Sequence, residues 1–454
     1  MTESSDPTAR RRQLLRTLGI VGTASLAGCS VNTGGDGGSD GSDGSDGGDS
    51  TGSGSQMASS ANGWSWDVAA RALKSAAEMY NEEKDGEVSV EELGTGSWGD
   101  RFDTAVTSGS GAPDFTSIRN VGVTNYASID GLLDLTERIE QTDMENEIVD
   151  GKWQSVTYDD SYYAIPWDLG PTGVFYRRDV YADAGIDPDS IETWDDFIEA
   201  GKQLPDDVNM INLGPEVLNQ EWRMRLRQLG GQAITENGAV NIHSEESVRA
   251  AQQIKDIVDA DIHAEIQEWS GGWFTAYAEG SVASLASAAW MDGTLRAELP
   301  DTSGSWGVFK IPAFEAGGTR ASNRGGSNMA IPSQIDDEAV IDRAFDFCQW
   351  AMTEPDVQNM MLEEFGLFPS LTAAYDADIY DEGQEFYDGQ PVFGLFAEVA
   401  QEIEPYRWTE ATPEVDDALI TELGNMVDGN KSPEQAVRDA AETVADRTDR
   451  ELAS

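Results

Sequence analysis

The side chains of this 454-residue chain that could do chemistry are chiefly aromatic and acidic: thirteen tryptophans and 84 aspartates and glutamates, against two cysteines and two histidines. Indole rings stack on apolar C–H faces, while carboxylates, amides and guanidinium groups satisfy hydroxyls, so the mixture suits a polyhydroxylated ligand. Arg119 and Asn120 follow an expected strand that ends at Ile118, and the carboxyl ends of strands are where α/β sheets hold ligands. Gly325, Gly326 and Ser327 would let the backbone approach a ligand closely, with Asn323 and Arg324 beside them. Trp269 and Trp273 flank Gly271 and Gly272, and Arg407 and Trp408 come late in the chain.

Other chemistries find less support. His243, His263 and Cys348 fit no metal-binding spacing, so no metal is expected, and the two cysteines form no disulfide framework. Cys348 lies in an apolar helical stretch and reads as core. Residues 37–41 match G-x-S-x-G inside a stretch of Gly, Ser and Asp, without the strand and helix a nucleophile elbow needs. No Gly-rich loop is followed by Lys and Ser or Thr, so no nucleotide or other cofactor is expected. A glycoside hydrolase would need two carboxylates about 5–10 Å apart; among so many acidic residues such a pair can always be drawn, and the signal carries little. The net charge of −55 would repel a phosphate backbone, which excludes nucleic-acid binding. Because the acidic excess is spread along the chain, it is read as adaptation to molar salt, where screening removes self-repulsion.

The elements that must position these residues begin after two leading segments. Residues 11–16 read RRQLLR, and an apolar run over 18–26 follows, too short to span a bilayer as a mature helix. This is a twin-arginine export address. Leu26, Ala27, Gly28 and Cys29 then resemble a lipobox, which implies that Cys29 becomes the lipidated first residue, with a second lipid or amino-terminal modification needed for stable attachment. Residues 30–61 are read as a Gly/Ser/Asp-rich flexible tether, having little apolar surface to offset the entropy of ordering. Beyond it, apolar periodicity predicts helices over 68–80, 101–106, 195–202, 245–258, 338–352, 355–364 and 433–452. Alternation predicts strands over 88–93, 114–118, 282–286 and 306–311. Helix following strand indicates an α/β fold, and about 390 residues exceed what one core usually supports, so two lobes are expected.

From about residue 64 to 452 the chain resembles the extracellular solute-binding proteins of ABC importers, in the sugar-binding group related to maltose-binding protein. The most specific stretch is AIPWDLGPTGVFYRRDVYADAGI at 164–186 followed by TWDDF at 193–197. GAPDF at 111–115, GLLDLT at 131–136, WGVFKIPAF at 306–314, GGSNMAIP at 325–332 and EFGLFPS at 364–370 complete it in order. The resemblance implies a type II periplasmic-binding-protein-like fold, two α/β lobes joined by crossing segments with a ligand cleft between them. It divides the chain into a signal peptide (1–29), the tether (30–61), a first lobe (62–168 and 317–372) and a second (169–316, with C-terminal helices in 373–454).

On this resemblance Trp167 and Asp168 lie in the first crossing, at the mouth of the cleft, and Trp64, Trp66 and Trp98 in loops that approach ligand. Glu221 and Trp222 resemble an aromatic stacking region, and Trp290 holds the position of the strongest stacking candidate. Trp153, Trp194, Trp306 and Trp350 read as core. The implied partners are a sugar or oligosaccharide, a membrane permease and, through Cys29, the membrane; the implied protein is a monomer without catalysis, on the outer face of the cell membrane. The acidic composition with the twin-arginine signal suggests a halophilic archaeon. An anionic solute such as glycerol 3-phosphate, bound by Arg119, Arg324 and Arg407, stands as the alternative.

Overall fold

In the computed structural model, which describes residues 57–454, strand and helix alternate around two separate five-stranded sheets. The export signal, Cys29 and the tether up to residue 56 lie outside the described residues. The first strand, Ser60–Trp66, begins inside the segment read as tether, because Ala61 already enters the core and the strand pairs in parallel with Glu87–Leu93 from its first residue.

The helix Asp67–Glu83 shows how sequence becomes element here. Ala69, Ala72, Leu73, Ala76, Ala77 and Tyr80 recur at helical spacing, alanine costs the helix least, and that stripe is buried. The helix Trp194–Gly201 starts at a capping box: the Thr193 hydroxyl accepts from the Asp196 N–H, and the Thr193 N–H donates to the Asp196 carboxylate at 2.8 Å. The predicted helix over 101–106 is the middle of Thr95–Ser108, which a left-handed Gly109 closes. The last helix, Pro433–Thr448, stops short of the predicted 452, because Leu452 leaves it to form a parallel bridge with Val240.

In the first sheet the order is Glu87–Leu93, Ser60–Trp66, Phe115–Arg119, Ser327–Ala330 and Ile165–Pro166; the first three are parallel and Ser327–Ala330 runs against both neighbours. The second runs His263–Ala264, Asn209–Asn212, Val282–Ala288, Thr172–Arg177 and Trp306–Lys310, the first three again parallel. Each sheet has its own hydrophobic core. A third core joins Leu362 and Phe368 to Phe175, Trp273, Val308 and Phe396, filled by the segment around Tyr380 and Tyr387.

Three chain segments pass side by side between the two sheets. Asp168–Leu169 pairs antiparallel with Phe368–Pro369, Pro171 bridges Asn323, and the Arg324 N–H donates to the Gly170 carbonyl at 2.9 Å. The backbones here approach so closely that a Cβ on Gly170 would stand 1.9 Å from the Arg324 oxygen. Before this point, Thr319, Arg320 and Ser322 hydrogen-bond to Gln228, Ile191, Lys310 and Met224 on the second-sheet side, so the return crossing occupies 323–327, later than residue 317.

Candidate functional site

Strand ends of the first sheet and two of the crossing segments converge on one polar knot. Asn120, at the end of Phe115–Arg119, donates from Nδ2 to the Gly325 carbonyl at 2.8 Å, and its N–H donates to the Gly326 carbonyl at 3.1 Å. Its Oδ1 accepts from Lys152 Nζ at 2.8 Å and from Asn328 Nδ2 at 3.0 Å. Lys152 also donates to the backbone oxygens of Asp168 and Ser327, at 2.8 and 2.9 Å. The Asp168 carboxylate accepts the Ser327 N–H at 2.7 Å. Lys152 and Asp168 are both buried. Burial drives the Lys152 pKa down to about 7, with Asp168 opposing and Arg227 adding to the fall; burial raises that of Asp168, with Lys152 opposing.

Gly326 serves this knot. Its φ is +104°, which favours glycine, and a Cβ would meet Asn120 Nδ2 at 2.8 Å and the Asp168 oxygen at 2.9 Å. The glycine thus makes room for the protein's own side chains.

On the second-sheet side, Arg324 is buried and makes five hydrogen bonds. It bonds Gln220 Oε1 at 3.2 Å, Glu221 Oε1 and the Ala286 carbonyl at 3.1 Å each, and both Glu268 oxygens at 3.0 Å. Burial works against its charge, but Glu268 and Glu221 outweigh that and raise its pKa. Arg225 takes the other Glu221 oxygen at 2.7 Å. Burial also raises the pKa of Glu268, which Arg324 counteracts.

Beside this cluster stands an aromatic platform. Trp269 and Trp290 stack with centroids 6.0 Å apart and planes at 24°, and Trp273 backs Trp269 at 5.6 Å. Trp290 Nε1 donates to the Arg324 carbonyl at 2.9 Å. Trp269 is 51 % exposed with φ at +64°, whereas Trp273 is wholly buried. A bulky residue held in the left-handed region and half exposed is a strained arrangement of the kind found at ligand sites.

Of the residues singled out from sequence, Asn120, Asp168, Glu221, Trp273, Trp290, Gly325, Gly326 and Ser327 meet in this region. Trp64, Trp66 and Trp98 form a group on the first sheet: Arg101 covers the Trp64 ring at 3.8 Å, Trp98 lies on Phe102 at 5.4 Å and meets Trp66 edge-on at 4.9 Å; exposed Arg119, whose backbone pairs with Ser327, sits 5.2 Å from the Trp66 centroid. The tryptophans are strand and helix residues, not loop residues, and all three are buried, Trp66 and Trp98 against each other and Trp64 under Arg101. Trp167 is buried in the first core, and Trp222 in the second, donating its N–H to Ser247 at 3.0 Å. Trp408 is half-buried against Tyr406 and Arg223, apart from the platform. Lys152 and Glu268 were not singled out from sequence; Glu268 repeats the Glu-Trp pairing of Glu221 and Trp222, the one local hint, and Lys152 carries none.

Against known proteins, residues 75–386 match the family described as bacterial extracellular solute-binding protein. An arabinooligosaccharide-binding protein of Halalkalibacterium halodurans is 28 % identical over 351 residues, 75 % of this chain and 78 % of that one. A lactose-binding protein of Rhizobium radiobacter is 28 % identical over 392 residues, 83 % of this chain and 91 % of that one. Among solved structures, the ABC-transporter-associated binding protein of B. animalis subsp. lactis, in complex with beta-1,6-galactobiose, superposes with a TM-score of 0.71 at 25 % identity, covering 86 % of this chain and 98 % of that one. With two sheets, crossing segments between them and a family match over most of its length, the chain belongs to the bacterial extracellular solute-binding proteins and has their two-lobe α/β architecture.

Proposed function

We propose that this protein is the ligand-binding component of an ABC importer, capturing an uncharged sugar or oligosaccharide between its lobes and passing it to a membrane permease. The observation that carries this reading is the half-exposed Trp269 stacked on Trp290 beside the crossing segments. A pyranose or furanose ring presents a C–H face to such a platform. The sugars in the names of the relatives, arabinooligosaccharides and lactose, and the bound galactobiose are all neutral glycans. An anionic ligand such as glycerol 3-phosphate is disfavoured, because Arg324, the cation beside the platform, is already held by two carboxylates.

The work is binding and motion, without catalysis. Ligand held by both lobes makes contacts that exist only in the closed form, and its differential affinity shifts the hinge equilibrium. The twin-arginine signal and Cys29 support a place on the outer face of the cell membrane through a lipid anchor. Its acidity assigns it to a salt-adapted organism, in keeping with a haloarchaeon.

Calorimetric titration in molar potassium chloride against lactose, arabinotriose, maltose, cellobiose and glycerol 3-phosphate tests the reading. Micromolar binding of one neutral glycan, weakened at least tenfold by Trp290→Ala (about 1.4 kcal/mol or more), is the expected result. Binding of glycerol 3-phosphate alone would replace the sugar by an anion.

A further inference from the structure

We infer that Arg324 is a positioning residue that sets the geometry of the Trp269–Trp290 platform from the crossing segment, without itself touching ligand. The inference rests on the reading of that platform as the ligand-stacking surface.

Two arms of Arg324 reach the two rings. Its carbonyl oxygen accepts the only N–H of the Trp290 indole, at 2.9 Å, which fixes how far that ring can turn. Its guanidinium holds both oxygens of Glu268 at 3.0 Å, and Glu268 is the residue directly before Trp269. The Glu268 N–H is in turn bound by the Glu216 carboxylate, so the backbone entering Trp269 is held from two sides. This matters because Trp269 keeps a positive φ of +64°, a conformation a tryptophan retains only where its surroundings impose it.

The position of Arg324 gives the arrangement its consequence. Arg324 stands in the return crossing, its N–H bonded to Gly170 of the first crossing at 2.9 Å, and a side chain on Gly170 would collide with its carbonyl. The oxygen that orients Trp290 therefore belongs to the crossing backbone and not to the second lobe that carries the ring. Any twist of the crossing segments moves the hydrogen-bond acceptor of Trp290 and the ion-pair partner of Glu268 together. Arg324 is buried and makes five hydrogen bonds to protein groups, which hold its guanidinium in place.

The test compares the full chain with Arg324→Lys, Trp269→Ala and the double variant, in molar potassium chloride, by near-ultraviolet circular dichroism and by titration with lactose and arabinotriose. Lysine keeps the charge but not the planar fork that grips Glu268. The expected result is a loss of the coupled-tryptophan dichroism in Arg324→Lys with far-ultraviolet signal retained, and an affinity loss of about tenfold that is absent when Trp269 is already Ala, the non-additivity of a shared unit. Glu268→Gln, which keeps shape and acceptor but removes the ion pair, should give a smaller change of the same sign and carries the test if Arg324→Lys does not fold. Additive losses in the double variant, or unchanged dichroism in the single variants, would overturn the inference. If the unsubstituted chain binds none of lactose, arabinotriose, maltose and cellobiose, the sugar reading fails, while the dichroism still decides whether Arg324 positions the rings.

Discussion

Lys152 is the residue whose chemistry is most constrained. An ammonium has three N–H donors, and here it finds three oxygens at 2.8, 2.8 and 2.9 Å, with Asp168 supplying the opposite charge. Removing it leaves buried acceptors without a donor, so Lys152→Met should destabilise the protein by about 1–3 kcal/mol. The pH dependence follows from its depressed pKa of about 7 against an ordinary 10.5. Between those values the unfolded chain binds a proton that the native one does not, so this group's contribution to stability rises with pH across that window and is flat below it. Denaturant unfolding of both proteins from pH 6 to 10 should show their stability gap widening above pH 7; a constant gap would mean that the native lysine titrates normally. Burial of this kind is not readable from DGKW at 150–153, where a lysine among acidic residues looks like a solvated charge.

At the scale of elements, periodicity was legible in several helices that bury one face, although Thr412–Val427, which does so too, was not among those expected. Asp67–Glu83, Glu245–Asp259 and Pro355–Phe365 fall within a few residues of the helices expected from sequence. The helix Leu218–Gln228, expected to open at Glu221 and Trp222, begins three residues earlier and shows no polar face: nearly all its residues are buried although three are arginines, which bond Asp416, Glu221, Gln253 and the Glu404 carbonyl. A pattern rule sees a polar surface there; the tertiary partners make it interior. The short return strand Ser327–Ala330 depends on the turn before it, so Gly326→Ala should cost about 1–3 kcal/mol through its strained φ and the clash with Asn120. Thr193→Ala, which removes a capping box at an exposed helix start, should cost about 1 kcal/mol without changing ligand affinity. Thermal unfolding of the two variants side by side checks the ranking; an equal or smaller effect at Gly326 would mean that the knot relaxes around a methyl group.

For the whole molecule, charge and connectivity set the behaviour. A net charge of −55 repels itself, and screening shrinks from about 10 Å at 0.1 M salt to about 3 Å at 1 M. The melting temperature should therefore climb by several degrees between 0.1 and 2 M potassium chloride. A flat or falling curve would remove salt adaptation as the reason for the composition. The third hydrophobic core, which joins Phe368 and Leu362 to Phe175 and Phe396, ties the far side of the crossing segments together. Opening that packed block would expose several aromatic side chains at once, so the proposed hinge closure is expected to leave it intact.

Composition, motif order and apolar spacing determined by themselves the α/β class, the existence of two lobes and the family, because each depends on local periodicity or on residues adjacent in the chain. They also singled out Asn120, Asp168 and Trp290, which stand at strand ends or in crossing segments. Only the tertiary structure decided which tryptophans stay exposed. Trp222 and Trp269 look alike in sequence, each following a glutamate, yet one donates to Ser247 inside the core and the other stands half in solvent. The difference lies in what packs against each ring, and those neighbours come from segments far along the chain: Ser247 in one case, Trp290 and the crossing residue Arg324 in the other.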